Sequence, residues 1–81
     1  MIKIKVLGPG CQNCKNLEAL TREAVSALGL EAEVEKISDY AKIMEYPIMS
    51  TPGLVVNEEL VCSGRVPTLA EITTWITNTQ L

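Results

Sequence analysis

Thr51-Pro52-Gly53-Leu54-Val55-Val56-Asn57-Glu58-Glu59-Leu60-Val61-Cys62-Ser63-Gly64 is the stretch whose reading decides the fold. Two short runs of β-favouring residues, Leu54 to Val56 and Leu60 to Cys62, flank the polar link Asn57-Glu58-Glu59. That pattern is a β-hairpin, and Gly64 ends it. Downstream, Thr68-Leu69-Ala70-Glu71 has the form of a capping box, and Leu69, Ile72 and Ile76 make the stripe of a closing helix. Upstream, Ser38-Asp39 offers an N-cap for a short helix from Tyr40 to about Glu45, with Pro47 shortly after its end. Tyr40, Ile43 and Met44 have helical spacing there and are expected in the core.

Further upstream, Leu30 to Ile37 alternates apolar Leu30, Ala32 and Val34 with Glu31, Glu33 and Glu35. A row of carboxylates suits an edge strand that must not pair with other chains; an acidic substrate-binding stripe is the other reading. Ile2 to Leu7 is a first strand, with Ile2, Ile4 and Val6 on one face. A helix from about Cys11 to Leu28 follows, carrying the stripe Leu17, Leu20, Ala24 and Leu28 and an exposed Glu18–Arg22 pair. Gly29 stops it in a left-handed conformation. The order is therefore β-α-β-α-β-β-α, an α/β domain spanning residues 1–81.

The chemistry lies at the first strand-to-helix junction, Gly8-Pro9-Gly10-Cys11-Gln12-Asn13-Cys14-Lys15. N–H groups of a first helical turn lack intrahelical partners, and the helix dipole adds partial positive charge there. Both stabilise a thiolate at Cys11. Cys14 lies almost one turn on, within reach for closing a disulfide. Gly8 and Gly10 allow a tight turn and Pro9 stiffens it. Zinc wants four ligands, and this chain has no His and one further cysteine, Cys62. The alternative function is a thiol-based carrier of a soft metal or metalloid using Cys11 and Cys14. Small heavy-metal domains of ferredoxin-like fold also carry a dithiol after their first strand. They need β-α-β-β-α-β, whereas here a helix follows the second strand and a helix closes the chain.

At 81 residues the chain can bury about 60% of its unfolded surface. Apolar and charged fractions of 47% and 21% are those of a globular domain. A net charge of −3, no basic cluster, one Trp and two Tyr leave no footprint for nucleic acid. No apolar run reaches membrane-span length and no signal-peptide pattern opens the chain. Met1-Ile2-Lys3 enters the first strand directly, so a cytoplasmic location is expected; a monomer without a membrane partner is the accompanying expectation. Three cysteines, an odd count, argue against a secreted disulfide scaffold. The absence of His removes Cys-His and Ser-His nucleophiles. Cys62 reads as a small buried hydrophobe, with a third redox or metal thiol as the alternative.

With this order, a Cys-x-x-Cys opening the first helix and a Thr-Pro before the third strand, the chain resembles the thioredoxin fold. More narrowly, it is similar to the small thioredoxin-like redox-active disulfide proteins of archaea and bacteria. Their Gly-x-Gly-Cys-x-x-Cys matches Gly8 to Cys14, their Pro-Gly matches Pro52-Gly53, and their Gly-Arg-Val matches Gly64-Arg65-Val66. Pro52 stands 41 residues after Cys11, and the resemblance covers essentially the whole chain.

It implies a four-stranded mixed sheet and a thiol–disulfide oxidoreductase working on protein disulfides, with no cofactor beyond a Cys11–Cys14 disulfide. Catalysis would fall to Cys11 and Cys14, and substrate contact to Gly10, Gln12, Asn13, Thr51 and Pro52. Thr51-Pro52 would be cis and would offer the Thr51 backbone to an extended substrate; an ordinary trans turn is the plainer reading. Four departures stand out. Gln12-Asn13 replaces the Gly-Pro of ordinary thioredoxins, and Gly10 replaces their preceding Trp. Lys5 occupies the position of their buried carboxylate, six residues before Cys11, where an ammonium could lower a thiol pKa. Cys62-Ser63-Gly64-Arg65 lacks the Gly-Gly and acid of glutaredoxins, which favours a flavoprotein reductase or another thiol carrier over glutathione.

Overall fold

The computed structural model describes residues 2–80, so Met1 lies outside the described residues. β1 is Ile2–Leu7, α1 Gln12–Leu28, β2 Ala32–Ile37 and α2 Tyr40–Ile43; β3 is Gly53–Val56, β4 Glu59–Ser63 and α3 Leu69–Gln80. The strands form one mixed sheet in the order β2-β1-β3-β4. β1 runs parallel to β2 because a helix carries the chain across between them, and antiparallel to β3. β3 and β4 form the expected hairpin.

Strand alternation divides the apolar residues between two faces. Ile2, Ile4, Val6, Leu54, Val56 and Cys62 meet Leu17 and Ala24 of α1 and Ile72 and Ile76 of α3. On the other face Leu7, Ile37 and Val55 meet Ile43 of α2, with Tyr46, Ile48 and Leu60 packed around them. Burial of one such aliphatic side chain is worth about 1.5–3 kcal/mol. The exposed Arg22–Glu18 pair, 3.0 Å apart, contributes a few tenths, so packing decides where α1 lies. Among the described residues Thr21 is the one buried polar side chain, and its hydroxyl donates to Leu17 O at 2.8 Å. Gly29 ends α1 with φ 65° and its N–H on Val25 O and Ser26 O.

The sequence-based boundaries shift at several ends. α1 begins at Gln12, with Cys11 as its N-cap, and β2 begins at Ala32, although Leu30 still packs on the core. α2 is a single turn ending at Ile43, short of Glu45. Tyr40 and Met44, expected in the core from their spacing, are 61% and 65% exposed. One turn of helix presents a single inward position, and Ile43 takes it. The hairpin link is two residues, since Glu59 joins β4. Asn57 and Glu58 have φ 49° and 68°, as a primed hairpin turn requires. Glu33 and Glu35 on the outer strand β2, and Glu31 just before it, stand exposed in the position expected of edge charges.

Candidate functional site

β1 and β2 end, and β3 begins, at the same end of the sheet, and the dithiol loop emerges there. Gly8 leaves β1 with its N–H on Ile37 O at 2.9 Å. A Cβ at Gly8 would collide with Sγ of Cys14 and come within 3.9 Å of Pro52 Cα, so the missing side chain makes room for the second sulfur. Gly10 takes φ 98°, a conformation that side chains rarely adopt, and the ammonium of Lys36 on β2 reaches the space beside it.

Cys11 is exposed and caps α1 in an extended conformation. Its Sγ accepts the N–H of Cys14 at 3.2 Å. The Cys14 side chain, then backbone N–H groups of Cys14 and Asn13, hold the Cys11 thiol below its ordinary pKa. Cys14 is buried at 1% exposure, and desolvation pushes its thiol up. Two identical side chains therefore separate into an accessible thiol that ionises more readily and a sheltered thiol that ionises less readily. They are also the pair available to a soft metal; the described residues hold no group of three or more His, Cys, Asp and Glu suited to a metal ion.

The Thr51-Pro52 bond is cis. Pro52 is buried, its carbonyl takes the Gly64 N–H at 2.8 Å, and its Cα lies beside the site of Cys14. Thr51 is half-buried, and neither its N–H nor its C=O pairs with another described residue. Gln12 and Asn13 are exposed on the first turn of α1, with the Gln12 amide on Asn16 at 3.0 Å. Gly8, Gly10, Cys11, Cys14 and the Thr51-Pro52 bond are thus brought to one end of the sheet. Cys62 belongs to the main core and its thiol points to Arg65 O at 3.8 Å, in keeping with a buried small side chain.

Two features escaped sequence reasoning. Lys5 is held by Glu58 and Tyr46, 53 and 41 residues away, at 2.8 and 2.9 Å. The space that Gly8 leaves for Cys14 is equally a tertiary fact. No local pattern marks either.

A model of the thioredoxin domain matches residues 2–77. The chain belongs to the thioredoxin-domain family. Its mixed sheet with three helices is a thioredoxin-like fold. A thioredoxin of Methanothermobacter thermautotrophicus is 47% identical over 72 residues, covering 89% of this chain and 94% of that protein. A thioredoxin of Methanocaldococcus jannaschii is 33% identical over 72 residues, covering 89% of this chain and 83% of its own length. Within this thioredoxin-domain chain the Cys-x-x-Cys pair is Cys11 and Cys14.

Proposed function

We propose that the chain is a thiol–disulfide oxidoreductase that reduces disulfides of partner proteins. The observation that carries this is the division of labour at the dithiol: an exposed, stabilised Cys11 and a buried Cys14 whose N–H reaches its sulfur. Similarity to proteins named thioredoxin supports it.

The Cys11 thiolate attacks one sulfur of the partner disulfide. The partner S–S bond breaks, its electron pair leaves on the departing thiolate, and Cys11 is joined to the partner in a mixed disulfide. Cys14 then gives its proton to the departing thiolate and attacks Cys11 Sγ. The mixed disulfide breaks, the partner leaves as a dithiol after taking a second proton, and Cys11–Cys14 closes. Two electrons have passed to the partner, with one proton from Cys14 and one from solvent, and a separate reductase must return the electrons. The open N–H and C=O of Thr51 pair with the extended backbone of the substrate, as in other strand-addition modes. Gly10, Gln12 and Asn13 form the other side of the contact.

The test is a trap. Cys14→Ser should leave Cys11 able to attack but unable to release, so a mixed disulfide with a protein substrate accumulates. Cys11→Ser should form none. Trapping by Cys14 in the Cys11→Ser variant would reverse the roles, and failure of both would end the proposal. A redox titration with a parallel metal assay separates the carrier alternative: a reversible two-electron couple without bound metal is expected, and stoichiometric tight metal would favour the carrier.

A further inference from the structure

Lys5 departs from a family habit, and the structure gives it different employment. From β1 its ammonium donates to Glu58 Oε1 at 2.8 Å and to Tyr46 Oη at 2.9 Å, and it lies 5.6 Å from the Tyr46 ring centroid. The Tyr46 hydroxyl in turn donates to Glu58 Oε2 at 3.3 Å. The three groups close a triangle joining β1, the β3–β4 turn and the segment after α2. Its carboxylate comes from Glu58, a non-glycine residue with φ 68°.

Tyr46 is also a fixed point of the chain leading to Thr51. Its N–H meets Ile43 O at 3.1 Å, and its C=O accepts the Ile48 N–H at 2.7 Å. The Ile48 side chain lies over Gly53, where a Cβ would collide with its Cδ1. Beyond Ile48, residues 49–51 reach Pro52 without a backbone hydrogen bond to another described residue.

We propose that Lys5 is a positioning residue for substrate docking: through Tyr46 it holds residues 46–51 so that the Thr51 backbone is presented beside Cys11. The inference rests on the oxidoreductase reading, because it matters only if Thr51 pairs with substrate. Lys5 does not touch the thiols; Cys11 is stabilised by groups of Cys14 and by backbone N–H. Docking needs a backbone placed to within a fraction of an ångström, and a loosened loop loses that without altering the thiol chemistry.

The experiment compares wild type, Tyr46→Phe, Lys5→Met and Lys5→Arg. It measures KM and kcat for insulin reduction, the rate of Cys11 with dithiodipyridine, and thermal melting. Tyr46→Phe should raise KM for insulin about fivefold, the worth of one net hydrogen bond. Its kcat and its rate with the small disulfide should stay at wild-type values. Lys5→Met should raise KM further, and Lys5→Arg, which keeps a donor for both oxygens, should restore it. Amide exchange at Ile48 should quicken in the variants with raised KM. An unchanged KM in folded Tyr46→Phe would overturn the positioning role even if Lys5→Met failed to fold. Equal falls in insulin reduction and small-disulfide reaction would also overturn it, since Lys5 would then act on the thiols. If wild type reacted with dithiodipyridine yet reduced no insulin, the underlying reading would fall and this one with it.

Discussion

Cys11 and Cys14 differ in surroundings rather than chemistry, and their pH behaviour follows. Interaction with Cys14 and nearby N–H groups lowers the Cys11 pKa, whereas burial raises that of Cys14. Folding therefore gains from ionised Cys11 above the unfolded thiol value of about 8.5, and loses that gain as pH falls through the lower folded value. Cys14 has the opposite sign: its contribution is complete below the unfolded value and is lost as pH rises through the folded one. The two partly cancel in stability, so labelling is the sharper readout. Iodoacetamide should modify Cys11 much faster than Cys14 near neutral pH, with the Cys11 rate rising through a midpoint below that of a free thiol. Equal rates, measured by mass spectrometry of the labelled peptides, would refute the assignment.

At the scale of elements, two junctions make separate predictions. In Gly8→Ala the new methyl group would occupy the space of Cys14 Sγ, forcing the β1–α1 loop to move. Insulin reduction should fall steeply while far-UV circular dichroism changes little; full activity would show that the loop absorbs the methyl group. At the start of α3 the capping box forms as expected, with the Glu71 N–H on Thr68 Oγ1 and the Thr68 N–H on Glu71. Arg65 clasps the same carboxylate through two nitrogens and, with Thr68, holds Glu71 down to about 2. That contribution is complete above an unfolded carboxyl value of about 4.3 and is lost as pH falls from there through about 2. Protection of the Thr68 amide, taken against its intrinsic exchange rate at each pH, should fall over this acid range in wild type, and constant protection would count against the clasp. The capping box was legible because it repeats within four residues. α2 was not, because one turn is too short for spacing to show which side faces in, and Tyr40 and Met44 were misplaced for that reason.

For the molecule as a whole, the element order followed from alternation in β1, β2 and the hairpin, together with α1 and α3 at helical period, whereas the strand order β2-β1-β3-β4 and the two-faced core are set by long-range pairing that no local pattern marks. The dithiol was legible because its two members are close in sequence, whereas Lys5, Tyr46 and Glu58 meet only once the sheet has assembled. Cys62 lies within the main core, so Cys62→Ala should cost about 1–2 kcal/mol in chemical denaturation and leave disulfide reduction intact. Loss of activity with the fold retained would draw that thiol into the chemistry. Finally, the exposed glutamates of β2 line one outer edge of the sheet in a chain of net charge −3. They govern how the protein tolerates crowding by its own copies, because like charges keep two such edges apart. Two copies brought edge to edge therefore meet repulsion before their backbones can pair, which keeps the outer strand from templating a second chain.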